Sequence, residues 1–202
     1  MSPASPSDRG SVESGETPEA TEDRALMVRV QRGDEAALGR IMERWELPVK
    51  GLIGRIVLNA RDAEELAQET LVRVWQQREK FRASAAFRPW IFSIAVNLAR
   101  NRLRWWRRRP SVSLHEWSET REMADGSSEM GATALERAER AAAVRDAVAA
   151  LPGELREALV LFEYEQLSHA EIAVTVGATP KAVETRIYRA REKLRAALKR
   201  WM

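Results

Sequence analysis

A row of amide and guanidinium side chains between residues 93 and 104 has the chemistry to bind a nucleic acid. Ser93, Asn97, Arg100 and Arg104 recur every three or four residues, so a helix would place them on one side with Asn101 beside them. Amide and guanidinium groups hydrogen-bond both base edges and phosphates. The stretch from residue 98 to 109 contains six arginines and no acidic residue. The pattern predicts contact with a polyanion, although a plain solvated helix face would carry the same charges.

Two tryptophans, Trp105 and Trp106, lie within the same arginine-rich stretch. Aromatic side chains interleaved with arginine suit unstacked nucleotides, because every base has a face for stacking and every nucleotide carries a charge. The alternative is that the pair packs against the segment that follows. The first interpretation predicts binding of single-stranded nucleic acid, and the second predicts a structural role.

A second basic stretch runs from residue 181 to 200 and lies within a helix-turn-helix pattern. Ser168 and Glu171 have the spacing of a capping box that starts a short helix, and Gly177 stands where a tight turn needs positive φ. Thr179 is placed to cap the next helix, with Pro180 at its first position. This spacing is typical of DNA-binding helix pairs, whose second helix enters the major groove.

The second helix of this pair carries side chains suited to recognising base pairs. Glu accepts a hydrogen bond from cytosine, Arg binds guanine through two bonds, and Thr can donate or accept. Residues near the N-terminal end of such a helix face the bases, and residues further along face phosphates. The predicted base contacts are Lys181, Glu184, Thr185 and Arg186. The predicted contacts further along are Tyr188, Arg189 and Arg191.

The composition excludes several kinds of functional site. The chain has 202 residues, two histidines and no cysteine, which removes disulfides, thiolate metal sites and cysteine nucleophiles. His115 and His169 have no carboxylate at a metal-binding spacing, and no phosphate-binding glycine loop occurs. We therefore expect no catalytic residue, no metal and no cofactor. Because the sequence has neither a run of 18 apolar residues nor a secretory signal, we expect a cytoplasmic protein without membrane insertion.

The elements that must position these residues are all predicted to be helical. Residues 1–22 are rich in Ser, Pro, Glu and Gly and are expected to form a disordered leader. Helical spacing covers residues 23–109, stops at Pro110 and resumes over 134–202, whereas 110–133 is acidic and typical of a linker. No strand pattern occurs. The predicted fold class is all-α, with two small helical domains joined by a flexible linker and a helix-turn-helix in the second.

One helix of the first domain is predicted to start at a capping box formed by Asp62 and Glu65. Its predicted buried stripe consists of Leu66, Ala67, Thr70, Leu71, Val74 and Trp75. Its other side carries Glu65, Gln68, Glu69, Arg73 and Gln76. A face of this kind is either solvated or docks on another protein. The segment before this helix is expected to be kinked or divided at Pro48 and Gly51.

The last helix of the first domain is predicted to follow a basic loop of small residues, FRASAA, at 81–86. Pro89 falls in its first turn, where the missing N–H does little harm. Its predicted core stripe consists of Phe87, Trp90, Ile91, Ile94, Ala95 and Leu98. The row of amides and arginines described above lies beside this stripe.

Three segments, taken together and in this order, resemble the extracytoplasmic-function sigma factors, which are promoter-recognition subunits of bacterial RNA polymerase. DAEELAQETLVRVW resembles the helix with which these factors dock on the polymerase clamp. FRASAAFRPWIFSIAVNLARNRL resembles the region that melts and recognises the −10 element. LPGELREALVLFEYEQLSHAEIAVTVGATPKAVETRIYRAREKL resembles region 4, which recognises the −35 element. The resemblance covers residues 24–109 and 134–200.

The resemblance implies three sets of contacts. Contacts with core RNA polymerase are expected from Asp62, Glu65, Gln68, Glu69 and Arg73. Contacts with single-stranded −10 DNA are expected from Arg82, Trp90, Asn97, Arg100, Asn101 and Arg104. Contacts with duplex −35 DNA are expected from Lys181, Glu184, Thr185, Arg186, Tyr188 and Arg189. An anti-sigma protein that blocks both domains is a further expected partner. The alternative is a conventional helix-turn-helix regulator that is not a polymerase subunit.

Overall fold

A computed structural model describes residues 18–108 and 132–201 of the chain. The helices in these ranges are α1 (Pro18–Gln31), α2 (Glu35–Val57), α3 (Ala60–Gln76), α4 (Phe87–Arg108), α5 (Ala132–Ala149), α6 (Gly153–Glu163), α7 (His169–Val176) and α8 (Pro180–Ala197). Single 3-10 turns occur at Arg78–Lys80 and Lys199–Trp201, and the two ranges contain no strand. The prediction of two helical domains is confirmed, while most of the predicted leader and linker lies outside the described residues. No described helix has the length and apolar character needed to cross a membrane.

Helix α1 begins earlier than the sequence predicted, at Pro18 rather than at Asp23. Glu22, assigned to the leader, pairs with Arg44 of α2 at 2.6 Å, and Asp23 accepts hydrogen bonds from Arg44 at 2.6 Å and from the indole of Trp45 at 3.1 Å. The hydrogen bond from Arg44 lowers the pKa of Glu22, whereas burial raises the pKa of Asp23. These ion pairs extend the helix into a segment whose composition is typical of disorder.

Helix α2 is continuous across Pro48, so of the two predicted alternatives at Pro48 and Gly51, a kink or a division, the division is wrong. A proline inside a helix removes one backbone hydrogen bond and costs about 3 kcal/mol. Here the apolar stripe continues on both sides of the proline, with Ile41 before it and Leu52 and Ile56 after it, all at most 1% exposed. Burial of this stripe against the rest of the domain outweighs the lost hydrogen bond.

Helix α3 starts at a different cap from the one predicted. The side chain of Asn59 accepts a hydrogen bond from the backbone N–H of Asp62 at 2.8 Å, and the helix begins at Ala60. The predicted capping box of Asp62 and Glu65 is therefore wrong, because those carboxylates lie inside the helix and bind a residue of α4 instead. The predicted buried stripe is confirmed: Leu66, Ala67, Thr70, Leu71 and Val74 are buried, and Trp75 is half-buried.

An aromatic cluster fills the centre of the first domain. The ring of Trp45 meets those of Phe87 and Phe92 edge-on, at centroid distances of 5.6 Å each. Phe81 packs against Phe87 at 5.8 Å and against Trp90 at 5.2 Å. Such edge-to-face pairs add about 0.5–1.5 kcal/mol each beyond the apolar area that they bury. The cluster fixes the first turns of α4 and the start of the FRASAA loop relative to α2.

The second domain follows its predicted caps closely. Ser168 and Glu171 form a complete capping box at the start of α7, and Gly177 ends that helix in the left-handed conformation with φ +67°. The hydroxyl of Thr179 accepts from the N–H of Ala182 at 3.2 Å, and Pro180 is the first residue of α8. Val183, Ile187 and Ala190 are buried as predicted, and Leu194 is half-buried. The predicted helix-turn-helix is therefore confirmed.

The two domains pack directly against each other, which the sequence did not predict. Helix α7 lies on α4, and α6 lies against α2. The hydrophobic core is continuous from one domain to the other. Phe92, Val96 and Ala99 are each 0% exposed, although they lie outside the predicted core stripe of α4. Helix α4 is therefore buried on two sides, by its own domain and by the second domain.

Candidate nucleic-acid and protein interfaces

The outer surface of α4 presents part of the predicted row of amides and arginines. Asn97, Asn101 and Arg104 are exposed, and the guanidinium of Arg104 donates to the side-chain oxygen of Asn101. Ser93 is half-buried, and its hydroxyl donates to the carbonyl of Trp90 at 2.6 Å. The structure therefore brings Asn97, Asn101 and Arg104 to one accessible surface, whereas Ser93 is committed to the helix itself.

Arg100, predicted to lie in the same row, is held by the second domain. Its Nη2 and Nε donate to one carboxylate oxygen of Glu157 at 2.6 and 3.0 Å, and its Nη1 donates to the carbonyl of Val176 at 3.2 Å. Its side chain is 26% exposed and that of Glu157 is 4% exposed. In this arrangement Arg100 has its donors directed at protein acceptors and away from solvent.

The FRASAA loop is fixed at its base and open at its tip. The side-chain amide of Gln31 in α1 donates to the carbonyls of Arg78 and Phe81, at 2.9 and 2.8 Å. Phe81 is 3% exposed, whereas Arg82 is exposed. Trp90, which was predicted to contact −10 DNA, is half-buried and packs against Phe81, with ring centroids 5.2 Å apart. Gln31 was missed at the sequence level, because no local pattern connects it to a loop about fifty residues away.

A polar network between α3 and α4 was also missed. The guanidinium of Arg102 donates to Asp62 and, at 2.7 Å, to Glu65, and the indole of Trp106 donates to Asp62 at 3.0 Å. Asp62 is 6% exposed and its carboxylate faces α4, so this structure does not present it on the surface for the predicted contact with polymerase. Trp106 is tied to α3, whereas Trp105 is 43% exposed. The two tryptophans thus have different environments.

Charges within this network perturb one another. The hydrogen bond from Arg102 lowers the pKa of Glu65. Burial works to lower the pKa of Arg102, but its hydrogen bonds and the charges of Asp62 and Glu65 raise it overall. The network is therefore charged on both sides at neutral pH, and it fixes the angle between α3 and the C-terminal half of α4.

The other predicted docking residues of α3 are accessible. Gln68 is exposed, and Glu69 and Arg73 are half-buried and bind each other at 2.7 Å. Val72 is 52% exposed on the same face and was not predicted. An open groove separates this face from α4, with Glu69, Arg73 and Trp105 among its lining residues. Mixed polar and apolar surface of this kind is typical of protein interfaces.

Helix α8 presents its predicted residues with one exception. Lys181, Glu184, Thr185, Tyr188 and Arg189 are all exposed, and Tyr188 is 65% exposed. Lys181 pairs with Glu184 at 2.9 Å, and this hydrogen bond lowers the pKa of Glu184, which stays an acceptor.

Arg186 is the exception on this helix. It pairs with Glu154 of α6 at 2.9 Å, and its side chain is only 24% exposed. Its predicted exposure is wrong, because the side chain lies along the domain surface next to α6.

Comparison with known proteins finds a family match in each helical domain. Residues 41–109 match the family description Sigma-70 region 2, and residues 141–194 match Sigma-70, region 4. The RNA polymerase sigma-H factor of Pseudomonas aeruginosa is 36% identical over 88% of this chain and 94% of its own length. The ECF RNA polymerase sigma-E factor of Haemophilus influenzae is 35% identical over 85% and 93%. The chain belongs to the extracytoplasmic-function sigma factors.

A solved structure is similar over nearly the whole chain. CnrH, in complex with the cytosolic domain of CnrY, superposes with a TM-score of 0.64 and 26% sequence identity, covering 88% of this chain and 97% of CnrH. In the present chain, the region 2 match begins within α2 and ends after α4, and the region 4 match begins within α5 and ends in α8. The exposed faces of α3 and α4 therefore belong to region 2, and that of α8 belongs to region 4.

Proposed function

We propose that this sigma factor docks on core RNA polymerase through α3, binds the melted −10 strand through α4 and the FRASAA loop, and recognises the −35 duplex through α8. The observation that carries the proposal is the presence of two separate cationic helix faces, one in each domain, beside a third face that is mixed in character. Promoter recognition in two places requires two DNA-binding surfaces on one chain. A conventional helix-turn-helix regulator would need only α8.

The −10 contact is assigned to the exposed residues of α4 and its loop. Asn97, Asn101 and Arg104 offer donors and acceptors on one surface, and Arg82 adds a cation at the exposed loop. Trp105 supplies an exposed aromatic face next to them. Stacking and charge neutralisation by such groups recover part of the free energy that strand melting costs. Arg100 joins this set once it leaves Glu157.

The −35 contact is assigned to the first three turns of α8. Lys181, Glu184 and Thr185 lie in the first two turns, where a recognition helix faces base edges. Tyr188 and Arg189 follow in the third turn, where the phosphate backbone is the nearer target. Arg186 can contribute to base recognition only after it gives up Glu154. The assignment therefore gives the main recognition role to Glu184 and its neighbours.

The polymerase contact is assigned to Glu65, Gln68, Glu69 and Arg73, with Val72 added and Asp62 removed. Val72 contributes exposed apolar area on the same face as the ion pair of Glu69 and Arg73. Interfaces commonly place such an apolar centre within a polar rim. Asp62 supports this face indirectly, since it holds α3 against α4.

Transcription by reconstituted polymerase tests the proposal. Purified core RNA polymerase and this chain are combined on a library of templates with randomised −35 and −10 elements, and runoff transcripts are sequenced. The expected result is initiation that depends on the chain and selects particular sequences at both elements. Binding to DNA without binding to core polymerase would favour the conventional regulator. A subunit that binds RNA polymerase and promoter DNA functions in the cytoplasm, and this role needs no catalytic residue in the chain.

A partner that blocks both domains at once remains part of the proposal. The similar protein CnrH has been captured with the cytosolic domain of CnrY. Two small helical domains connected by a linker offer a partner surfaces on both sides. Co-purification of the chain from native cells tests this point: a stoichiometric protein other than polymerase subunits is the expected result.

A further inference from the structure

The contact between the two domains is lined with opposite charges. On the side of region 2 it presents Arg55, Arg88 and Arg100, and on the side of region 4 it presents Glu157 and Glu165. Arg100 lies 2.6 Å from Glu157, whereas Arg88 and Arg55 lie 3.4 and 4.0 Å from Glu165. Every one of these pairs joins a cation of the first domain to a carboxylate of the second. The contact is therefore electrostatically specific in addition to being apolar.

These two carboxylates lie in an interface that largely excludes solvent. Glu157 is 3% exposed and Glu165 is 8% exposed. Burial raises the pKa of Glu165, although Arg88 and Arg55 work in the opposite direction. A buried carboxylate is unfavourable unless a cation or a hydrogen-bond donor faces it. The two glutamates thus depend on the arginines of region 2 for as long as the domains stay together.

Backbone contacts complete the closed arrangement. Arg156 of α6 donates to the carbonyl of Ile56 at the end of α2, at 2.8 Å. The guanidinium of Arg55 lies over the ring of Tyr164, 4.7 Å from its centroid. On the other side, the carbonyl of Val176 accepts from Arg100. The interface therefore reaches from the end of α2 to the last residue of α7.

The closed arrangement cannot bind both promoter elements at once. Helix α8 begins four residues after Val176, so its start lies within about 20 Å of the Arg100 guanidinium, at no more than 3.6 Å per residue. Elements centred at −35 and −10 are separated by 25 base pairs, which is about 85 Å along B-DNA. The domains must therefore separate before α4 and α8 occupy the two elements together.

We infer that α6 is an intramolecular competitor of −10 DNA, in which the carboxylate of Glu157 occupies the Arg100 guanidinium that otherwise binds the non-template strand. This inference rests on the proposed role of α4. The chain without polymerase is then mostly closed and binds −10 DNA weakly, and separation of the domains on core polymerase exposes Arg100. The apparent affinity of the free chain falls in proportion to the fraction of molecules that are open.

The test compares a variant that weakens the closed state with a charge-matched control. Glu157→Gln combined with Glu165→Gln removes both carboxylates from the interface and leaves the proposed DNA-binding residues intact. Glu139→Gln combined with Asp146→Asn removes the same charge from exposed residues of α5. Both are made in the full chain, and binding to a fluorescent single-stranded −10 oligonucleotide is measured without polymerase.

Domain separation is measured in the same proteins by energy transfer. The chain has no cysteine, so Leu47→Cys and Val174→Cys, at positions 75% and 71% exposed, accept one dye in each domain. Glu165→Gln alone serves as a milder variant if the double variant does not fold, as judged by circular dichroism. Binding of every variant to −10 DNA is also measured in complex with core polymerase, where the domains are already apart.

The expected result is an affinity about five- to tenfold higher for the Glu157→Gln, Glu165→Gln variant, together with lower energy transfer, as an increase in the open fraction requires. The control should stay within about twofold of the wild type, and all forms should bind alike on polymerase. Unchanged affinity and energy transfer would overturn the inference, as would lower energy transfer without tighter binding. A wild-type complex with polymerase that ignores −10 DNA would instead refute the proposed function of α4.

Discussion

Two arginines of α4, two residues apart, are expected to affect different properties when replaced by alanine: one the stability of the fold, the other the binding of DNA. Arg102 points toward α3, with a side chain that is 20% exposed, and binds Asp62 and Glu65. Arg104 is exposed, and the hydrogen bond described for its guanidinium goes to Asn101 within the same helix. Arg102→Ala should therefore reduce stability, and Arg104→Ala should reduce binding to −10 DNA.

The loss in Arg102→Ala can be estimated from the burial of its partners. The side chain of Asp62 is 9% exposed, and within residues 18–108 and 132–201 the side-chain donor that it keeps after the substitution is the indole of Trp106. Leaving a largely buried carboxylate without its cation costs about 2–3 kcal/mol. The side chain of Glu65 is 62% exposed, so that pair adds about 0.5 kcal/mol at most. For a chain of this size the sum corresponds to a decrease in Tm of about 4–14 °C.

Thermal and urea unfolding followed by circular dichroism measure this difference. Arg104→Ala should stay within about 0.5 kcal/mol of the wild type, since exposed substitutions rarely change stability more. Arg102→Lys should recover only part of the loss, because lysine keeps the charge without the planar pair of donors. A Tm for Arg102→Ala within about 1 °C of the wild type would refute the assigned role of the network.

The pH dependence of the same variant adds a second check. The hydrogen bond from Arg102 lowers the pKa of Glu65 from its ordinary 4.5. A carboxylate with a lowered folded-state pKa contributes stability that is complete above the unfolded value and is lost as pH falls through the folded value. The stability gap between wild type and Arg102→Ala should therefore narrow below pH 4.5. A gap that widens in acid would contradict the assignment.

Three further predictions concern the other surfaces. Exchanging the charges of the α3 pair, Glu69→Arg with Arg73→Glu, keeps the ion pair within the helix but reverses both charges that would face polymerase. Binding to core polymerase in a pull-down should therefore weaken, while the helical content stays unchanged. Glu184→Ala should relax preference at one or two −35 base pairs in a promoter selection, and Arg189→Ala should instead weaken binding to all sequences and reduce the salt slope by about one counterion. Gly177→Ala, at φ +67°, should destabilise region 4 by about 1 kcal/mol in urea, because alanine is strained in this conformation.

The charge exchange and Gly177→Ala each have a matched control in the chain. The pair Glu192–Arg195 lies within α8 of the other domain, so its charge exchange should leave docking through α3 unchanged. An equal loss of polymerase binding in both exchanged variants would mean that the effect is not specific to the α3 face. A −35 preference that survives Glu184→Ala unaltered would remove α8 from its assigned role. Gly39 has no positive φ and lies in α2, so Gly39→Ala should not destabilise the protein.

Local patterns predicted the helices and most caps correctly, because these depend on residues close together in the sequence. The capping box of Ser168 with Glu171 and the turn at Gly177 were identified from spacing alone. The same rule failed at Asp62, where Asn59 supplied an equally good cap three residues earlier. A local rule cannot choose between two candidates when one of them is recruited by a distant arginine.

Contacts between distant segments account for what the sequence did not predict. The pairs of Arg100 with Glu157 and of Arg102 with Asp62 span 57 and 40 residues, and neither side chain carries a signal of its partner. Periodicity placed Arg100 on a solvent face, which holds for α4 within its own domain. The second domain then covers part of that face, so exposure inferred from one helix overestimated what remains open.

The amide of Gln31 has a practical consequence for anyone who divides this chain into pieces. Region 2 as matched by its family begins at residue 41, yet the clamp on the FRASAA loop comes from α1, ten residues before that point. A fragment cut at the family boundary would keep every proposed −10 contact and lose the hydrogen bonds from Gln31 that hold the backbone at Arg78 and Phe81. Weak binding of this fragment to −10 DNA would then be caused by a less ordered FRASAA loop, and it would not contradict the DNA contacts assigned to the loop and to α4.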